Sequence, residues 1–201
     1  MSHALFAGSF DPPTMGHIDL IERASGLFDH VTVAVMINAA KTPMFTAEER
    51  VDMLKECVSR LNNVTVTAGT GLTLDLARAV GADVLLRGLR GEGDAGMEAA
   101  LAAGNRHVGG IDTLALFTAP QYGFISSTLV RDVIRHGGRL DGLVPDGLIE
   151  RLTHIAESDF GVLTYTDAIG LLEKNKENFE YPVYWGCDLQ TEHERYITEV
   201  I

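Results

Sequence analysis

The sequence predicts an α/β fold, a doubly wound sheet of five parallel strands with helices on both faces. Two observations carry this reading. Five short runs rich in Val, Leu and Thr recur through the first 120 residues, apolar on both faces as buried parallel strands are. Stretches of helical periodicity separate them, the alternation of a βαβ chain.

The strands are "ALFA" (4–7), "VTVAVMI" (31–37), "VTVTA" (64–68), "DVLLR" (83–87) and "TLALFTA" (113–119). The first helix is predicted over 17–28, with Ile18, Leu20, Ile21 and Ala24 on one side. The second, over 46–60, opens with Thr46 and Glu49 in capping-box spacing, and Val51, Leu54, Cys57 and Val58 follow at helical intervals. Further helices are expected over 72–80, 96–107, 126–136 and 146–157.

Bulk properties narrow the classes. At 201 residues and 46% apolar content, the chain suits one domain of ordinary size, or one domain with a short appendage. It has no apolar run of membrane-spanning length, and "MSHALFAGS" does not read as a secretory leader. Two cysteines are too few for a disulfide framework, so a cytoplasmic setting is expected. The net charge of −12 repels polyanions, so neither nucleic acid nor a membrane is an expected partner. Small anions remain compatible where arginines cluster.

Parallel sheets bind ligands at the carboxyl ends of their strands, where strand order reverses. Four loops therefore matter: 8–17, 38–45, 87–96 and 120–128. The first, "GSFDPPTMGH", holds two glycines, two prolines, two hydroxyls and a histidine in ten residues. Glycine lets backbone approach a ligand, and a helix N-terminus there offers an anion its free N–H groups.

"GSFDPPTMGHIDLIERA" resembles the signature G-[TS]-F-D-P-x-T-x-G-H of the nucleotidyltransferase superfamily, most closely the bacterial phosphopantetheine adenylyltransferases. The likeness continues in order through "KTPMFTAEER", "LLRGLR", "GNRH" and "FISSTLVRDV", over residues 1 to about 158. It implies a Rossmann-like domain over 1–160. The implied reaction moves the adenylyl group of ATP to 4′-phosphopantetheine, giving dephospho-coenzyme A and pyrophosphate. The substrate phosphate is itself the nucleophile, so the protein needs donors and cations rather than an acid–base pair.

By this resemblance, His17 hydrogen-bonds the α-phosphate, Ser9 contacts both phosphates and Lys41 holds the incoming 4′-phosphate. Arg87 and Thr73 serve the phosphopantetheine. Phe10, Gly88, Leu89, Arg90 and Glu98 belong to the ATP site. So do Tyr122, Gly123, Phe124, Ile125, Ser126, Ser127 and Thr128, mostly through backbone. Thr14 reads as a helix-start residue. Mg²⁺ is expected to arrive with ATP, without a dedicated protein cage, and the family's homo-hexamer is implied.

The match loosens at "GEGDAGME" (91–98), where bulky residues are usual and three glycines are expected to loosen the segment. Its G-x-G-x-x-G pattern does not support a dinucleotide fingerprint, because it follows the fourth strand and Asp112 comes too early to serve as the ribose acid.

The tail, 161–201, is a separate acidic region carrying 3 basic and 8 acidic residues. "TYTDA" and "FEYPVYWGCDLQTEHERY" resemble a fragment of asparaginyl-tRNA synthetase, without that class's arginine-bearing ATP motifs. A helix over 164–174, a strand over 181–186 and a helix over 191–199 are expected. An ordered tail would have to bury Tyr181, Trp185 and Tyr196. His193, Asp188 and Glu192 read as solvated charge on a polar helix, and Cys187 as a lone thiol. The implied tail is an inactive appendage. The alternatives are a related nucleotidylyltransferase acting on another phosphate acceptor, such as nicotinate mononucleotide or glycerol phosphate, and a scaffold that recruits a partner through the tail.

Overall fold

The computed structural model describes residues 2–38, 42–157 and 164–200. The chain divides into two compact units, residues 1–157 and 158–201.

The first unit alternates strand and helix: β1 (His3–Gly8), α1 (Met15–Ser25), β2 (His30–Ile37), α2 (Ala47–Val58), β3 (Val64–Thr70), α3 (Thr73–Val80), β4 (Val84–Leu89), α4 (Glu92–Gly109) and β5 (Asp112–Phe117). Helices α5 (Ser127–Arg135) and α6 (Asp146–Glu157) complete it. All strand pairs are parallel, in the order β3-β2-β1-β4-β5. The chain winds outward from β1 through β2 to β3, then returns to lay β4 on the other side of β1. The crevice therefore opens above Gly8 and Arg87–Leu89, at the carboxyl ends of β1 and β4.

Alternation along the strands builds two cores. Ala4, Phe6, Val31, Val33, Val35 and Leu86 meet Ile18, Ile21, Leu54 and Val58 of α1 and α2. Leu5, Ala7, Ala34 and Leu85 face the other way, onto Leu74 and Ala77 of α3. Each fully buried Leu or Ile contributes about 1.5–3 kcal/mol. A third cluster (Phe45, Met53, Val130, Ile134, Leu148 and Leu152) joins α2, α5 and α6. It holds the end of the 42–45 segment and the start of α5 at the crevice.

Two helix boundaries differ from expectation and matter for the site. Helix α1 begins at Met15, not 17, because Thr14 is its N-cap and forms a capping box with His17. Helix α4 begins at Glu92, so "GEGDAGME" is its opening rather than a loosened loop. Asp94 secures that opening by accepting the Arg90 backbone N–H at 3.1 Å, which offsets part of the cost of roughly 1 kcal/mol per helical glycine. The G-x-G-x-x-G pattern thus spells a helix.

The second unit contains α7 (Tyr165–Glu173) and α8 (Thr191–Val200). The strand expected over 181–186 does not form. The Glu180 and Tyr181 backbone N–H groups donate instead to the Glu192 carboxylate, at 3.1 and 2.8 Å, and the chain turns at Gly186, whose φ is +96°. The Tyr165 hydroxyl accepts from the Gly186 N–H at 3.0 Å and donates to the Cys187 carbonyl at 2.6 Å.

The expected tail burial is also corrected. Tyr181 and Trp185 are exposed, while His193 and Cys187 are buried with Ala168, Ile169 and Leu172. His193 Nδ1 accepts the Gln190 N–H at 3.1 Å, its Nε2 donates to the Tyr181 carbonyl at 3.3 Å, and Phe179 packs edge-on 5.0 Å away. A histidine whose two nitrogens are both satisfied can replace an apolar core residue. Tyr196 packs edge-on against Phe179.

Candidate active site

The crevice of the first unit holds a cavity of about 620 Å³. Its floor is the turn leaving β1. Phe10 takes a positive φ of +48°, rare for a bulky residue, and its ring is nearly fully buried, edge-on to Phe6 at 5.4 Å and His17 at 4.9 Å. An added Cβ at Gly8 would meet that ring at 3.1 Å, so the turn leaves glycine little alternative there.

His17 is set by the helix cap. The Thr14 backbone N–H donates to His17 Nδ1 at 3.1 Å, and Thr14 Oγ1 accepts the His17 N–H at 3.4 Å. A backbone N–H only donates, so Nδ1 carries no proton and Nε2–H is the donor left at the cavity wall. Burial, reinforced by the Arg90 charge, lowers the imidazole pKa from 6.5 to about 4. At neutral pH the ring is an uncharged, oriented donor.

Asp11 is buried and ties three segments together. Its carboxylate accepts the Met44 and Phe45 N–H groups, both at 3.0 Å, and faces Arg131 of α5 at 3.4 Å. Arg131 also donates to the Asp11 carbonyl at 2.5 Å, and Ser127 Oγ donates to the Pro12 carbonyl at 2.9 Å. On α1, Asp19 accepts the Ala119 N–H at 3.0 Å, which steers the chain leaving β5 toward the crevice. Ser126 caps α5 by accepting the Leu129 N–H at 3.1 Å, and Ser126, Ser127 and Thr128 line the cavity. That helix start offers N–H groups to an anion.

Arginines also line the cavity. Arg87, from β4, makes a two-pronged pair with Glu98 (Nε and Nη2 at 2.7 and 2.6 Å) and donates Nη1 to the Ala7 carbonyl at 3.2 Å. The Glu98 bonds raise the already high pKa of Arg87. Arg90 grips Asp94 with Nε and Nη2 at 3.1 and 3.2 Å, and those bonds lower the carboxyl pKa of Asp94. Arg50, from α2, donates Nη1 to the Ser9 carbonyl at 2.8 Å. The arrangement offers a glycine-floored pocket, a neutral imidazole donor, a helix N-terminus and several guanidinium groups, the equipment for holding two phosphates against each other.

Comparison with known proteins fits this geometry. Residues 5–133 match the cytidylyltransferase-like family. A phosphopantetheine adenylyltransferase of Limosilactobacillus fermentum is 45% identical over 153 residues, 76% of this chain and 88% of the relative. One from a Synechocystis species is 44% identical over 147 residues, 73% of this chain and 92% of the relative. The chain belongs to the cytidylyltransferase-like family, among the phosphopantetheine adenylyltransferases. A crystal structure from Vibrio parahaemolyticus, assigned as a nicotinate-nucleotide adenylyltransferase, shares the fold, with a TM-score of 0.54, 19% identity and coverage of 76% of this chain and 99% of its own.

Most residues expected of this adenylyltransferase site come together. Ser9, Phe10, His17, Arg87, Gly88, Arg90, Glu98, Ile125, Ser126, Ser127 and Thr128 all line the cavity. Thr73, Leu89, Tyr122, Gly123 and Phe124 are not on its wall. Leu89 is buried, pointing opposite to Gly88 as strand alternation requires. Tyr122 packs with the α2–α5–α6 cluster, Phe124 is exposed, and Thr73 begins α3 beyond edge strand β3. Lys41 lies outside the described residues.

Four charged lining residues escaped sequence reasoning: Asp11, Arg50, Asp94 and Arg131. Asp11 lies in the first loop and Arg50 in the second predicted helix, and neither is singled out by the sequence. Neither burial nor long-range partners leave a local signal.

Proposed function

We propose that this site transfers the adenylyl group of ATP to 4′-phosphopantetheine, releasing pyrophosphate and dephospho-coenzyme A. The observation that carries this reading is the neutral His17 donor beside the glycine-floored crevice, in a chain 45% identical to a protein named for that reaction. The acceptor phosphate supplies the attacking oxygen. His17 Nε2–H donates to the α-phosphate as charge builds on it, and Ser9 donates between the two phosphates. The N-terminus of α5, with Ser126, Ser127 and Thr128, receives the leaving phosphates, and Arg90 adds positive charge. Lys41 and Arg87 serve the acceptor. Arg87 reaches it by sharing its guanidinium with Glu98.

Among the described residues, three carboxylates line the cavity, Asp11, Asp94 and Glu98, and each is engaged by N–H or guanidinium donors. Mg²⁺ would therefore arrive with ATP and would help neutralise the leaving pyrophosphate.

A homo-hexamer is the proposed assembly. Met97, Leu101 and Val108 of α4, with Leu114 and Phe117 of edge strand β5, expose large apolar side chains on neighbouring elements, a surface suited to a second copy. The tail is proposed to be an inactive appendage derived from a synthetase-like fragment. Among the described residues, no helix is long and apolar enough to cross a membrane.

The test presents ATP with 4′-phosphopantetheine, nicotinate mononucleotide or glycerol phosphate, and follows pyrophosphate. Release is expected with phosphopantetheine. Faster turnover with either other acceptor would reassign the substrate.

A further inference from the structure

Four guanidinium groups of the described residues line the cavity, and three are neutralised where they stand: Arg87 by Glu98, Arg90 by Asp94 and Arg131 by Asp11. Arg50 is the exception. It is only 4% exposed and forms no ion pair among the described residues. Its bonds go to neutral carbonyls, Nε to Thr46 at 3.1 Å and Nη1 to Ser9 at 2.8 Å. Carbonyl dipoles satisfy two donors but do not cancel the charge. A cation this deeply buried is rarely left without a counter-charge. The cavity is where that counter-charge can enter.

We propose that Arg50 is a binding residue for the phosphate of the acceptor, and that it fixes the Ser9 backbone through the same guanidinium. This rests on the adenylyl-transfer reading above. The side of the crevice selects the acceptor over ATP. Arg50 stands in the first turns of α2, just beyond the 42–45 segment, and shares its wall with Thr42, Pro43 and Ser9 on the β1–β2 side. Of the nucleotide-phosphate donors, Arg90 stands across β1, after β4. A fixed cation beside the incoming phosphate lowers the second ionisation of that phosphate and keeps the attacking oxygen unprotonated.

The test compares kcat and KM for both substrates, with melting temperatures, in the wild type, Arg50→Lys and Arg50→Gln. Arg50→Gln should raise the KM for phosphopantetheine roughly ten- to hundredfold, the range for loss of a charge-assisted hydrogen bond. The KM for ATP should stay within about threefold, since a neutral bond is not being lost there. The acid limb of kcat should move up toward pH ~6, the ordinary second ionisation of a phosphate monoester. Arg50→Lys should keep the acid limb in place. Equal changes in both KM values, or identical behaviour of the Lys and Gln variants, would make Arg50 a structural brace and overturn the proposal.

If Arg50→Gln does not fold, the wild-type Arg50 Nε–H resonance decides. It should shift on titration with phosphopantetheine, and a silent resonance overturns the proposal. Pyrophosphate release by the wild type with phosphopantetheine is measured first. Its absence would sink the functional reading, whereas activity with an unmoved acceptor KM in Arg50→Gln sinks only this inference.

Discussion

His17 shows how one side chain acquires its chemistry from its neighbours. Sequence places it in the first turn of a helix, but its tautomer follows from Thr14, whose N–H can only donate to Nδ1. Its lowered pKa follows from burial and then from Arg90, which is distant in sequence. Removing one preorganised donor to developing charge costs on the order of 10²–10³ in rate. His17→Ala should lose that much kcat while ATP binding, measured by calorimetry, persists. Wild-type turnover in the variant would contradict the assigned role. The same histidine makes a pH signature. The unfolded chain takes up a proton near pH 6.5, which the folded ring refuses until about pH 4. Stability is therefore lost as pH falls through that window. In His17→Ala that contribution should vanish from the difference in unfolding free energy between pH 7 and pH 4. Ser9 and His17 were legible because they belong to a local pattern. The roles of Asp11 and Arg50 were not, because each is tied to a distant segment, Asp11 to Arg131 120 residues away and Arg50 to Ser9 41 residues away.

At the scale of elements, the crevice depends on how closely α1 rides on the sheet. Gly88 makes that approach possible: a Cβ there would fall 2.3 Å from Leu20 Cδ1, and Leu20 is buried. Gly88→Ala should cost about 1–3 kcal/mol by overpacking, read as a drop in the denaturation midpoint. It should also lower kcat, because α1 carries His17. An unchanged midpoint would show that Leu20 yields freely. The five strands were readable because buried parallel strands are apolar on both faces. The start of α4 was misread because its three glycines speak against helix, while the Asp94–Arg90 bonds that hold it depend on geometry. The strand expected at 181–186 failed because a strand needs a partner. There the Glu192 carboxylate takes up the backbone N–H groups of Glu180 and Tyr181.

For the whole molecule, every cavity-lining residue and every strand among the described residues belongs to the first 157 residues. A chain cut after Asp159 should therefore fold and keep its KM values within a few-fold. A folded but inactive product would assign the tail a part in the reaction. The tail's interior was least legible, since His193 is buried where its neighbours suggested a solvated helix. The exposed apolar side chains of α4 and β5 likewise emerge only once the sheet order makes β5 an edge.

The central claim is direct transfer between two bound substrates, with the protein supplying donors and cations and no covalent adenylyl-enzyme. The most direct measurement uses ATP carrying a chiral sulfur-substituted α-phosphate, with 4′-phosphopantetheine as acceptor. A single in-line displacement predicts a sulfur-bearing dephospho-coenzyme A with inverted configuration at phosphorus. Retention of configuration would mean two displacements through an enzyme nucleophile, and would contradict the account.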